Sequence, residues 1–247
     1  MSIKTKISIV IPCYNEEEGI QNLSEKLEPV IVDLKTKYDV ELIFINDGST
    51  DKTGELLQTK FEHWNETKII THEKNKNLGA ALRTGFAHAT GDLIACLDSD
   101  CTYDPSLILP MLEIINTPEK NVDIVTVSPY HPKGKINNIP AYRLFLSKGA
   151  SNIYRYLLKL DTYSPGGMVR IYRRKVIETT SSDKDNFLFV PELLLKAHIQ
   201  GYIIRDFPTI LNVRQYGTSK MKLVSTILSH SKLMVRIIRY KITKKPL

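Results

Sequence analysis

Through the first half of the chain, short apolar runs alternate with longer stretches of helical periodicity. Ile7–Pro12, Val40–Ile45, Lys68–Thr71, Asp92–Leu97 and Val122–Val127 read as strands, and Glu16–Lys37, Asp51–Trp64, Leu78–Ala89 and Pro105–Asn116 as helices. Pro29 falls inside the first helical pattern, where a kink is expected. Strand-helix alternation predicts an α/β fold, a mostly parallel central sheet with helices on both faces, and it gathers ligands at the carboxyl ends of the strands. The second half is less regular. A Pro/Gly/Asn-rich segment, Ser128–Pro140, precedes a helix at Ala141–Leu158, a loop at Asp161–Gly167 and a strand at Met168–Tyr172. A helix at Pro191–Gln200, a strand at Tyr202–Leu211 and a polar loop at Asn212–Lys220 follow.

From Met221 to Thr243, Leu223, Val224, Ile227, Leu228, Leu233, Met234, Ile237 and Ile238 recur near helical spacing, with Lys222, His230, Lys232, Arg236 and Arg239 on the other face. A basic amphipathic helix of this kind can lie in a bilayer interface or dock on a protein core. Residues 1–220 therefore read as one catalytic-sized domain and 221–247 as a basic amphipathic helix and tail.

With 247 residues the chain can bury a sizeable core, and 42% apolar with 25% charged residues argues against wholesale disorder. No run of about 20 uncharged apolar residues is present to span a bilayer, and the start does not resemble a signal peptide. Cys13, Cys96 and Cys101 are odd in number and lack metal-site spacing, which points to buried reduced thiols in a cytosolic protein. The net charge of +7 is concentrated at the end, where Lys220, Lys222, Lys232, Arg236, Arg239, Lys241, Lys244 and Lys245 occur without an acid. No nucleic-acid motif accompanies them. A phosphate substrate or an anionic membrane surface is the better-supported partner, and no nucleic acid is expected.

The polar clusters fall where the fold places a site. Pro12-Cys13-Tyr14-Asn15-Glu16 follows the first strand, Asn46-Asp47-Gly48-Ser49 the second, and Asp98-Ser99-Asp100 the fourth. Asp, Asn, Gly and Ser also build ordinary turns. Two carboxylates one residue apart, however, share a face of an extended chain and suit one hard divalent cation.

In combination these segments resemble the family 2 glycosyltransferases of GT-A fold, and within them the dolichyl-phosphate mannose synthase-like, polyprenyl-phosphate branch. Ile9-Val10-Ile11-Pro12-Cys13-Tyr14-Asn15-Glu16 is similar to the family's opening "V-I-P-x-Y-N-E", and Ile45-Asn46-Asp47-Gly48-Ser49-Thr50-Asp51 to its "D-D-G-S-x-D". Asn77-Leu78-Gly79-Ala80-Ala81-Leu82, followed by Gly85, Ala89, Gly91 and Asp92, and then Leu97-Asp98-Ser99-Asp100, continue the match. The narrower branch is suggested by Arg143-Leu144-Phe145-Leu146-Ser147-Lys148-Gly149-Ala150, by Gly167-Met168-Val169-Arg170-Ile171-Tyr172-Arg173-Arg174, and by Arg214-Gln215-Tyr216-Gly217-Thr218-Ser219-Lys220. Three positions depart from it. Asn46 stands for the first Asp of "D-D-G-S", Gly166-Gly167-Met168 for a Thr-Gly-Ser, and Ser164 for the Asp six residues before Arg170.

The resemblance implies an inverting, metal-dependent enzyme that moves a sugar from a nucleotide-diphosphate sugar, GDP-mannose or a UDP-sugar, to a polyprenyl or dolichyl phosphate. Pro12, Tyr14, Glu16, Asp47, Asp98, Ser99 and Asp100 would hold the nucleotide-sugar. Asp98, Asp100 and the Thr102 hydroxyl would hold Mg²⁺ or Mn²⁺. Arg143, Arg170, Arg214 and Lys220 would grip the acceptor phosphate, for which guanidinium groups are suited. A phosphate acceptor is already ionised and needs no strong base. An alternative is a soluble transferase acting on a glycan hydroxyl with Asp161 or Glu192 as general base; another is a non-catalytic nucleotide-sugar-binding subunit. The lipid reading implies a peripheral protein on the cytoplasmic face of a membrane, attached through its C-terminal helix and open to a membrane-protein partner.

Overall fold

The computed structural model describes residues 4–137, 139–212, 216 and 223–243, and within its helices it leaves the side chains of 143 and 223–225 undescribed. In chain order the elements are β1 (Lys6–Cys13), α1 (Ile20–Lys37), β2 (Asp39–Asn46), α2 (Thr53–Phe61), β3 (Thr67–Thr71), α3 (Leu78–His88) and β4 (Leu93–Cys96). Then come α4 (Ile108–Ile115), β5 (Ile124–Ser128), β6 (Lys135–Ile136), α5 (Ala141–Leu158), β7 (Arg170–Arg173) and α6 (Arg174–Thr179). The last are α7 (Phe189–Ile199), β8 (Ile204–Pro208), β9 (Ile210–Leu211) and α8 (Leu223–Thr243).

Seven strands form one sheet in the order β3-β2-β1-β4-β7-β5-β8, all parallel except β7, which runs antiparallel between β4 and β5. β6 and β9 pair in a separate two-stranded ribbon. On one face α1 lays Leu23, Leu27, Ile31 and Leu34 over Ile7, Ile9, Ile11 and Leu42, and α4 covers the β5 side with Met111 and Ile115. On the other face α3 and α7 set Ala81, Leu82, Phe189 and Leu194 against Val10, Ile43, Ile45 and Ile94. The strands carry apolar side chains on both faces because both are covered, which is why periodicity shows them as near-continuous runs. α3 packs closely enough that a Cβ on Gly85 would lie 2.3 Å from Val10 Cγ1.

The expected helix from Glu16 begins only at Ile20, because Gly19 N–H and Ile20 N–H both close a turn on the Glu16 carbonyl. Pro29 lies inside α1 and is exposed, so the backbone bond that it cannot donate would have been on the solvent side of the helix. The single strand expected over Tyr202–Leu211 is two, divided at the buried Thr209. α8 docks through Leu233 and Ile237, fully buried with Tyr154 and Leu160 at the end of α5 and Leu188 and Leu195 at α7. None of the described helices is long and apolar enough to cross a membrane.

Candidate active site

Parallel β1, β2, β3, β4, β5 and β8 end at one sheet edge, and antiparallel β7 begins there, since Arg170 pairs with Cys96 and Thr126. Seven connections therefore meet at this edge. The loops after β1 and β2 are laced together: Asn15 accepts from Thr50 N–H at 2.8 Å, Asn15 N–H donates to Ser49 Oγ at 3.0 Å, and Glu16 N–H to Thr53 Oγ1 at 2.7 Å. Pro12 is buried, Tyr14 is half-buried and Glu16 is 8% exposed.

Asp47, 2% exposed, is held at both oxygens. Its Oδ1 lies 2.6 Å from His72 Nδ1 and accepts from Lys76 N–H at 2.9 Å, while Oδ2 accepts from Asn75 Nδ2 at 3.1 Å. His72 Nε2 meets Thr84 Oγ1 at 2.9 Å, so the ring bridges β3 and α3. Gly48, at φ +66, comes so close to the loop after β3 that a Cβ would lie 2.2 Å from the Lys74 carbonyl carbon. Only glycine fits there. Nothing in the local pattern marked His72, Asn75 or Thr84.

Asp98 and Asp100 lie in the turn just beyond β4 rather than on the strand itself. Their charges nonetheless reach the same neighbours. Burial pushes the Tyr103 hydroxyl well above its ordinary pKa, and Asp98, Tyr130 and Asp100 push it further; burial and, among other charges, the same two aspartates raise the Cys101 thiol to about 12. Cys101 adopts a left-handed φ of 52°, closing the turn. Ser99, between the two aspartates, is 7% exposed and lies close to Cys13. Thr102 N–H donates to Asp100 Oδ1 at 2.9 Å, which holds the Thr102 backbone against that carboxylate. All three cysteines are buried thiols.

The residues present fit a divalent cation of the hard kind. Two carboxylates and a hydroxyl are oxygen donors, and among the described residues no cluster of three His, Cys, Asp or Glu side chains makes a closed protein cage. Mg²⁺ and Mn²⁺ sites with one or two carboxylates complete their coordination with water and substrate phosphate.

The second half reaches the pair through tyrosines. Tyr130, just past β5, is close to Tyr103 and to Ser147 of α5. Ser164, 3% exposed, lies 3.4 Å from Tyr130 N and 3.2 Å from Ser128 Oγ. Asp206 of β8 takes the Ser128 hydroxyl at 2.7 Å, Tyr163 N–H at 2.8 Å and the Thr162 hydroxyl. A carboxylate from another strand thus braces the loop in which Ser164 replaces an acid.

The expected acceptor residues divide. Position 143 is on α5, and Arg214 and Lys220 lie outside the described residues. Arg170 is fully buried and its guanidinium is spent on protein: Nε donates to Thr126 Oγ1 at 3.0 Å, one terminal nitrogen to the Val190 carbonyl at 2.9 Å and the other to the Pro165 carbonyl. In this arrangement it is an internal strut and presents no donor face to a phosphate. Asp161 is exposed in the loop after α5. Glu192, fully buried on α7, lies 3.1 Å from Lys196 Nζ and 3.2 Å from Arg236 of α8. The Lys196 pair stays within α7, and the Arg236 pair fastens α8 to it.

Residues 8–180 match the Glycosyl transferase family 2 model. The chain is 29% identical over 238 residues to a dolichol-phosphate mannosyltransferase of Pyrococcus furiosus, covering 96% of this chain and 64% of that protein. It is 31% identical over 228 residues to an undecaprenyl-phosphate 4-deoxy-4-formamido-L-arabinose transferase of Salmonella choleraesuis, covering 90% and 64%. The chain thus spans just under two thirds of these relatives' length. Among solved structures, glucosyl-3-phosphoglycerate synthase of Mycobacterium tuberculosis in complex with Mn²⁺, UDP and glucosyl-3-phosphoglycerate superposes with a TM-score of 0.68 at 18% identity, covering 95% of this chain and 78% of that one. That likeness establishes the GT-A-like α/β fold. With the matched profile covering most of its length and the strand-end loops assembled at one sheet edge, the chain belongs to glycosyl transferase family 2.

Proposed function

We propose that this protein transfers a sugar from a nucleotide-diphosphate sugar, GDP-mannose or a UDP-sugar, to a polyprenyl or dolichyl phosphate, with inversion and with the help of Mg²⁺ or Mn²⁺. The observation that carries the reading is the link from Asp98 and Asp100, through Tyr103 and Tyr130, to Ser147 on α5. It joins the donor half of the sheet edge to the helix that bears Arg143. The names of the relatives support the acceptor class, and the Mn²⁺ and UDP of the structural neighbour support a divalent ion with a nucleoside diphosphate.

The laced loops bearing Tyr14, Glu16 and Asp47 would seat the nucleoside, their geometry set in advance by His72 and Asn75. Asp98, Asp100 and Thr102 would hold the metal, which when bound stabilises charge on the leaving diphosphate. Tyr103 stays protonated and offers an O–H beside the pair. Arg143, Arg214 and Lys220 remain the residues proposed to bring the acceptor phosphate against the anionic donor. Arg170 instead braces the Pro165 end of the loop that carries Ser164.

Membrane contact is proposed on the α5 and α8 side. Phe145 is 77% exposed, Tyr156 83%, Val235 66% and Ile242 77%, and α8 adds Lys232, Arg239 and Lys241. Exposed apolar area with adjacent cations suits an anionic leaflet, and the reading places the protein peripherally on the cytoplasmic face. The test is a matrix of nucleotide sugars against polyprenyl phosphates, with mass spectrometry of the lipid and EDTA as control. A glycosylated lipid phosphate formed only with metal is expected; donor left unconsumed with every acceptor overturns the proposal.

A further inference from the structure

We infer that Arg155 is a further phosphate-holding residue on the acceptor side; the inference rests on the reading above for the phosphate nature of the acceptor. Positions 143, 147, 151 and 155 follow one another at i, i+4 along α5 and form a single ridge of the helix. Ser147 on this ridge is a neighbour of Tyr130, which is close to Tyr103 and the aspartate pair. Ser151 is 5% exposed and donates to the Ser147 carbonyl at 2.9 Å. The ridge ends in Arg155.

The Arg155 guanidinium carbon lies 3.9 Å from the centre of the Tyr163 ring. Stacking occupies the flat face of the cation and leaves its in-plane N–H groups for an anion. Its Nε is buried without a hydrogen-bond acceptor. A buried donor left unmade costs about 1–3 kcal/mol, more on a charged group, and an oxyanion reaching the guanidinium edge would recover that cost. Among the described residues no carboxylate pairs with Arg155.

The platform beneath it is fixed. Tyr163 N–H is held by Asp206 at 2.8 Å, the same carboxylate ties Ser128 and Thr162, and His131 meets the Tyr163 ring edge-on with centroids 5.1 Å apart. Asp206 therefore sets the height of the ring and the ring sets the plane of the guanidinium. Ordinary surface arginines have neither constraint. The arrangement suits a phosphate monoester arriving between α5 and the end of β5, on the far side of Tyr130 from the aspartates.

The experiment compares the 247-residue protein with Arg155→Gln and Arg155→Lys variants by calorimetric binding of three probes: citronellyl phosphate, inorganic phosphate, and UDP with Mn²⁺. Arg155→Gln is expected to weaken both phosphates by about 10- to 100-fold, the worth of a charge-assisted hydrogen bond, while UDP affinity stays within about twofold. Arg155→Lys keeps the charge without the fork, and an intermediate loss of about three- to tenfold is expected; it carries the test if the glutamine variant does not fold. Unchanged phosphate affinity in a folded variant, or an equal loss for UDP, overturns the inference. Arg155-dependent binding of inorganic phosphate with no binding of citronellyl phosphate upholds the anion site and overturns the lipid-phosphate reading instead.

Discussion

Arg170 separates a substrate-gripping arginine from a structural one, and the two roles give opposite results when it is replaced. Methionine at 170 keeps much of the side-chain volume and removes every donor. The acceptors left behind are Thr126 Oγ1, the Val190 carbonyl and the Pro165 carbonyl, all bonded to the guanidinium in the interior. Each buried unsatisfied acceptor costs about 1–3 kcal/mol, and allowing for partial relaxation the sum is about 3–6 kcal/mol. Against a total stability of about 5–15 kcal/mol this is a large fraction. With a urea slope of about 2–3 kcal/mol/M for a chain of this size, the unfolding midpoint of Arg170→Met should fall by at least about 1 M. Arg170→Lys should fall between the variant and the parent, because one ammonium cannot replace three directed bonds. Acceptor KM of whatever fraction remains folded should match the parent. A midpoint equal to the parent's combined with a tenfold or greater rise in acceptor KM would refute the strut and restore the phosphate contact.

At the opposite end of the sheet, Glu41 is buried, and burial alone would push its carboxyl up; Lys68, Ser8 and Thr90 outweigh it and hold the group at about 2 instead of 4.5. Because the folded pKa lies below the unfolded one, this stabilisation is complete above about pH 4.5 and is lost as pH falls towards 2. Its size is about 3 kcal/mol from the shift, trimmed to about 2 because Lys68 is half exposed. Glu41→Gln should therefore lower Tm at neutral pH by about 4–8 °C, with the gap closing between pH 5 and 2, and a gap constant across that range would contradict the assignment. Asp98→Asn or Asp100→Asn should reduce Mn²⁺-supported UDP binding by about tenfold or more and abolish its EDTA sensitivity, with binding of UDP alone little changed; retained EDTA sensitivity speaks against the metal set. Replacing exposed Val235 and Ile242 by Asp should reduce flotation with anionic vesicles by about tenfold per residue, from the apolar burial lost, and undiminished flotation would remove α8 from the membrane surface.

Much of the donor half was legible because it is local. The apolar runs of β1, β2 and β4 and the polar clusters that follow them are contiguous, and a parallel sheet puts those clusters on one edge without further information. The acceptor half depends on contacts remote in sequence. β7 inserts antiparallel between β4 and β5, and no periodicity within Val169–Arg173 encodes that direction. Since both faces of the sheet are covered, the alternation of Arg170 and Tyr172 with Val169 and Ile171 cannot tell a charge turned inward from one turned to solvent. Glu192 resembles a first-turn carboxylate until Arg236, 44 residues later, comes to meet it. Asp206 and Tyr163, 43 residues apart, share a bond that neither segment announces. The Asp98–Asp100 pair, expected at the end of an extended strand, lies instead in the turn beyond β4, and both acids act on Tyr103 and Cys101.

A phosphate acceptor is distinguished from a hydroxyl acceptor by offering one donor, in the presence of Mn²⁺, to an isoprenyl phosphate and to the corresponding isoprenol. A new lipid product is expected whose mass exceeds that of the phosphate by one anhydrosugar, formed as nucleoside diphosphate is released, with no product from the alcohol. Transfer to the alcohol or to a glycan hydroxyl at a comparable rate would contradict it.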